Sequence, residues 1–228
     1  MIPKRIITTW ICDAERDRYQ PRHREMFAHC MTSWLKLMPD YEIMVVTLGN
    51  LRLFGTEPWL EERIAEGNFI ACSQWARLKF LAVLGGVFLD ADVEAVQRFD
   101  PLLETSYTLG HIGAGQGWAN NAVMACGAAH PFLEDQVKAL RKVDTRHPDY
   151  GNMSGPGLVS SLLYANGWNG RDGDTTIAGI TVRRSQVFHP YPWYEPLTSA
   201  AIQPDTIAIH HWASSWKPLN EQPQQVWR

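Results

Sequence analysis

Leu84-Gly85-Gly86-Val87-Phe88-Leu89-Asp90-Ala91-Asp92-Val93 is the stretch on which the reading of the whole chain turns. The glycine pair stops a preceding helix, and Val87–Leu89 is a short apolar strand that ends at Asp90. Upstream, Asn68 is placed to cap that helix, which runs to about Leu84 with Ala71, Trp75, Leu78 and Ala82 on one face. A buried strand therefore delivers two carboxylates, at i and i+2, to its carboxyl end. Aspartate oxygens are hard ligands suited to Mg²⁺ or Mn²⁺. A cation held there can bridge the phosphates of a nucleoside diphosphate and neutralise charge on a leaving group.

The same alternation extends outward from this block. Arg5–Thr9 is β-branched and predicts a first strand. Pro21 opens a helix whose Met26, Phe27, Cys30, Met31, Trp34, Leu35 and Met38 share an apolar face, and Pro39-Asp40 ends it. Tyr41–Thr47 predicts a buried strand. Further on, Tyr107–Ile112 and Ala122–Cys126 predict strands, and Pro131 sits in the first turn of a helix with Leu133, Val137 and Leu140 inward. Gly155-Pro156-Gly157 introduces another helix to about Ala165, and Thr175–Val182 and Thr206–His210 are late strands. The pattern is α/β, an open mixed sheet with helices on both faces, in a single domain spanning residues 1–228. In such sheets ligands bind beyond the carboxyl ends of strands, where Trp10 and Asp90 lie.

Composition narrows the function. Lys and Arg number 21 against 24 Asp and Glu, a formal charge of −3, so no cationic field exists for a nucleic-acid backbone. Cys12, Cys30, Cys72 and Cys126 form no CxxC pair, which excludes a zinc knuckle or thioredoxin-like motif and favours reduced, mostly buried thiols. The longest apolar stretch, Phe80–Leu89, is about half of the ~20 residues a spanning helix needs and is interrupted by Gly85-Gly86. No transmembrane segment is expected; contact with a membrane would be peripheral. The expectation is a cytoplasmic enzyme, working at the inner membrane surface if its acceptor is lipid-linked.

Ala71-Cys72-Ser73-Gln74-Trp75-Ala76-Arg77 followed by the Gly85–Asp92 block resembles glycosyltransferase family 32. That family includes sugar transferases of capsule synthesis and fungal-type mannosyltransferases, and is similar to the catalytic domains of large glucosylating toxins. Its pattern is A-x-S-D-x-x-R, then G-G-[IV]-[YF]-L-D-x-D. Ile2-Pro3-Lys4 with Trp10, Ser33-Trp34, Pro39-Asp40-Tyr41-Glu42, and His211-Trp212 with Ser215-Trp216 resemble its other elements in order. The chain departs from the pattern at Gln74, where the family has Asp, and at Ile7, where it has His. The resemblance implies a GT-A-type nucleotide-sugar-binding fold, a nucleotide-sugar donor, Mn²⁺ or Mg²⁺, and transfer with retention to a glycan or lipid-linked saccharide.

On that resemblance Asp92 contacts the metal directly, and Asp90 contacts ribose or donor sugar or shares the metal. His211 is the third metal ligand or a pyrophosphate contact; His210 alternates with it, so only one of the two points into the site. Arg77 reaches donor sugar or pyrophosphate, and Trp10 stacks on the base. Ser73 and Gln74 belong to the donor site, where an amide at 74 can hydrogen-bond sugar hydroxyls without charge. Asn120 and Asn121 hold sugar hydroxyls or acceptor, and Ser215 and Trp216 close over the leaving phosphate. Two other readings remain: a haloacid-type phosphatase, disfavoured by Glu94 where that motif wants Thr or Val, and a non-catalytic nucleotide-sugar or glycan-binding relative, which Gln74 favours.

Overall fold

A computed structural model describes residues 1–12 and 21–214. The elements are β1 (Arg5–Thr9), α1 (Pro21–Leu37), β2 (Glu42–Val46), α2 (Pro58–Ala65), α3 (Phe69–Leu84), β3 (Gly86–Leu89), β4 (Val93–Ala95), β5 (Tyr107–His111), β6 (Ala119–Cys126), α4 (Pro131–Leu140), α5 (Tyr150–Ser154), α6 (Pro156–Ala165), β7 (Thr175–Ile177), β8 (Ile180–Arg183) and β9 (Ala208–His210). Seven strands form one mixed sheet in the order β2-β1-β3-β6-β5-β8-β7, and β4 pairs with β9 in a small second sheet. Strands β2, β1 and β3 run parallel, while β6 returns antiparallel between β3 and β5.

Strand alternation sorts the core onto the two faces of the sheet. Ile7 and Phe88 pack with α2, α3, α4 and α6, whereas Ile6, Val87 and Leu89 pack with Met26, Cys30 and Trp34 of α1. Helix α3 is buried around most of its circumference, Phe69, Cys72, Trp75, Ala76, Phe80 and Leu81 included. A helix apolar all round belongs inside a domain. It starts where Asn68 accepts a hydrogen bond from the Ala71 N–H (3.1 Å). It ends at the glycine pair for a steric reason. Gly85 and Gly86 have φ of 64° and 128°, and a Cβ on them would lie 2.8 Å from the Ala128 nitrogen and 2.7 Å from the Arg5 carbonyl oxygen.

Several elements differ from the expectations. α2 and α5 are additional helices, too short to show a clear apolar period. β6 begins at Ala119, earlier than expected, because Asn120 and Asn121 are themselves strand residues. Thr175–Val182 is two strands, β7 and β8, turning at Ala178 and Gly179, both at positive φ. All four cysteines are free thiols; burial pushes Cys72 and Cys126 up to about 12, so these two are inert at neutral pH.

Candidate active site

The carboxyl end of β3 carries Asp90, and its N–H donates to the Ala122 carbonyl (2.8 Å), continuing the β3–β6 ladder past the strand's last residue. Arg77, on the buried face of α3, fixes the side chain: one terminal nitrogen donates to Asp90 Oδ1 (2.5 Å) and the other to the Asn121 carbonyl (2.6 Å). The guanidinium also lies over the Phe88 ring, 4.4 Å from its centroid. Only 5% of the Arg77 side chain is exposed. The guanidinium is therefore committed to Asp90 and the strand. Its contacts hold the Asp90 carboxylate in place.

Asp92 lies just beyond, at the start of the β4–β9 ribbon. Its Oδ2 accepts from the Ala213 N–H (2.8 Å) and its Oδ1 lies 3.5 Å from His210 Nε2. Its carbonyl accepts from the His211 N–H (2.9 Å). One ligand atom each from Asp90, Asp92 and His210 falls within 4.8 Å of the others. Two hard carboxylates and an imidazole suit Mn²⁺ or Mg²⁺. The buried His210 Nδ1, which has no hydrogen-bond partner among the described residues, leaves the ring's orientation set by the acidic pair and its aromatic neighbours. The donor set fits the implied cation.

His211, the expected third ligand, instead directs Nε2 to Glu94 (2.9 Å). Neighbouring strand residues project to opposite sides, so one of the pair had to turn away, and His210 is the one drawn to Asp92. Beyond it the chain bends sharply, with Trp212 and Ser214 at φ of 57° and 47°. Such conformations cost about 1–3 kcal/mol each for residues with side chains. They are held by the Asp92 contacts and by Trp212 Nε1 donating to the Tyr191 carbonyl (3.0 Å). Ser215 and Trp216 lie outside the described residues.

The remaining expected residues lie by the carboxyl end of β1 and the amino end of β6. Gln74 Oε1 accepts from Asn121 Nδ2 (3.1 Å), both side chains being buried. Gly155 permits this pair, since a Cβ there would lie 3.0 Å from Gln74 Nε2 and 3.1 Å from Asn121 Oδ1. Ser73 Oγ donates to Thr9 Oγ1 (3.1 Å), tying α3 to the end of β1. Trp10 is half-buried and stacked on Phe27 at 4.7 Å. Asn120 is turned to its own backbone, accepting from the Ala122 N–H (2.7 Å), so it serves the strand. Sequence reasoning missed His189. It is buried against His210 and Trp212, with no partner for either ring nitrogen among the described residues.

Charge is finely opposed here. Burial raises the Asp92 carboxyl, but His210, the Ala213 N–H and His211 outweigh it and hold it at about 2. Burial lowers His210, yet Asp92 and Asp90 carry it above the ordinary imidazole value. For Asp90 burial dominates and Arg77 only partly offsets it, leaving the carboxyl raised. His189 is pushed well below the usual range, chiefly by burial and then by His210. Two neighbouring imidazoles are thus shifted in opposite directions.

Residues 24–109 match a family described as the glycosyltransferase sugar-binding region containing a DXD motif, a segment that includes α3, Arg77, Asp90 and Asp92. The match covers well under half of the chain and marks that segment as similar to DXD-containing sugar-binding regions. Among solved structures the chain is similar to the PaToxG glycosyltransferase, at 16% identity and a TM-score of 0.54, over 72% of this chain and 69% of that one. It is also similar to an active-site mutant of LgtC, at 13% identity and a TM-score of 0.48, over 91% and 86%. A third match is the galactosyltransferase LgtC with donor and acceptor sugar analogues, at 12% and 0.49 over the same shares. No curated protein matches the chain.

Proposed function

We propose that the protein is a metal-dependent hexosyltransferase that moves a sugar from a nucleotide-sugar donor to a hydroxyl of a glycan or lipid-linked saccharide, with retention at the anomeric carbon. The observation that carries this reading is the convergence of Asp90, Asp92 and His210 beyond the carboxyl end of β3, the two aspartates lying inside the segment matched as a sugar-binding region. Mn²⁺ or Mg²⁺ held by these three residues supplies positive charge to the departing diphosphate. Arg77 fixes Asp90, and the Ala213 N–H fixes Asp92, so both carboxylates are oriented before the donor arrives. Gln74 and Asn121 present paired amides to donor hydroxyls, and Trp10 flanks the base. The acceptor oxygen attacks C1 on the leaving group's face. The C1–O bond to the diphosphate breaks as the acceptor C–O bond forms, and the acceptor proton passes to a phosphate oxygen.

Among the described residues no helix is long and apolar enough to cross a membrane; the proposed setting is the cytoplasm, with peripheral contact at the inner membrane where the acceptor is lipid-linked. A thermal-shift screen of nucleotide sugars with and without Mn²⁺, followed by NMR of products from the stabilising donor, tests the proposal. Mn²⁺-dependent stabilisation and release of sugar with retained configuration are expected. Donor binding with neither transfer nor hydrolysis across an acceptor panel would instead support a non-catalytic binding protein.

A further inference from the structure

Beside the candidate active site lies a second group of ligating side chains that sugar transfer leaves unused. His29 of α1, Glu94 of β4 and His211 just past β9 each bring one ligand atom within 4.8 Å of the others. His211 Nε2 stands 2.9 Å and His29 Nε2 3.2 Å from the same oxygen, Glu94 Oε2. Ligands about 2.0–2.1 Å from a tetrahedral zinc ion are roughly 3.3 Å apart, so only small adjustments separate this arrangement from a coordination shell. The side-chain exposures grade from 3% at His211 through 23% at Glu94 to 58% at His29. Two ligands are thus set in the protein and the third faces solvent, where a water can complete the set.

The three elements are also held in register independently of these side chains. Ser33, one helical turn after His29 and so on the same face of α1, accepts from the Ala95 N–H (2.9 Å). The Trp34 indole donates to the Val93 carbonyl (2.8 Å). These two bonds flank Glu94 and clamp α1 onto β4, so His29 is brought to Glu94 by rigid scaffold.

We propose that His29, Glu94 and His211 form a binding site for a Zn²⁺-class transition-metal ion, separate from the Asp90–Asp92–His210 centre. Two imidazole nitrogens with one carboxylate select a borderline ion over Mg²⁺. An ion there clips α1 to the β4–β9 ribbon that carries Asp92 and His210, and stabilises the folded chain by binding it alone.

The test uses Co²⁺, whose tetrahedral complexes absorb strongly in the visible, titrated into the full chain with stoichiometry followed by calorimetry. The wild type is expected to bind two ions and to develop the tetrahedral spectrum. His29→Ala should lose that spectrum and one ion per chain while keeping its Mn²⁺ binding; Asp92→Asn should keep the spectrum. Zn²⁺ should raise the wild-type melting temperature and leave that of His29→Ala unchanged. An unaltered Co²⁺ spectrum and stoichiometry in His29→Ala would overturn the site, as would loss of all binding in Asp92→Asn, which would mean a single site centred on Asp92. No step of this test requires sugar transfer, so it stands or fails apart from the proposed enzymatic function.

Discussion

The α3–β3 block and the segment from β9 to Ser214 both feed the candidate active site, and they do so by opposite means. The first holds Asp90 on regular, buried structure: a capped helix, a glycine pair that only glycine fits, and an arginine lying on a phenylalanine ring. The second brings His210 and the Ala213 N–H on a short strand followed by left-handed Trp212 and Ser214. Its order comes from contacts to Asp92, more than a hundred positions earlier, together with the Trp212 indole donating to the Tyr191 carbonyl. A rigid half fixes Asp90, and a strained half brings His210 and the Ala213 N–H to Asp92. Strain of this kind persists only where surrounding contacts over-determine it.

Substitutions that break this contrast should have graded effects. Arg77→Met strands a carboxylate that is otherwise paired and should destabilise the fold by about 3–5 kcal/mol in urea titration; an unchanged midpoint would show that the rigid half does not depend on the pair. Gly86→Ala, with φ of 128° and a Cβ 2.7 Å from the Arg5 carbonyl oxygen, should cost about 2–3 kcal/mol in the same measurement. His210→Ala acts on the strained half. It should weaken Mn²⁺ binding by at least about 10-fold, and equal affinity would remove His210 from the shell.

Acidity sharpens the same contrast. Asp92 is held at about 2, so it stays ionised through the acidic range. His210 is raised above the ordinary imidazole value and must lose its proton to ligate. Mn²⁺ affinity should therefore be full above the raised His210 value and fall as pH drops through it. In His210→Ala this slope should flatten, as read by calorimetry across pH. The smallest effect is expected at Trp34→Phe, which leaves the Val93 carbonyl without its indole donor and should cost about 1 kcal/mol in thermal unfolding.

What was legible in the sequence follows the same division. The Asn68 cap, the apolar helix, the glycine pair and the short strand before Asp90 all obey local rules, and each is found within a residue or so of its expected place. The choice between His210 and His211 was not legible, because alternation says that one must turn away without saying which. The β4–β9 pairing decides it, and that register depends on tertiary packing across more than a hundred residues. Arg77 was located but its partners were not: only the buried fold shows that Asp90 and the Asn121 carbonyl occupy the guanidinium. His189 gave no signal at all, since its partners are His210 and Trp212 in space rather than in sequence.

Sugar release from a nucleotide-sugar donor by the wild type and by Asp92→Asn, each with Mn²⁺ and with excess chelator, bears most directly on how the acidic pair works. Removing the one carboxylate that the backbone itself holds in place should lower turnover by about 10³-fold, and chelation should do the same to the wild type. Undiminished turnover by Asp92→Asn in chelator would contradict a metal-holding role for Asp90 and Asp92.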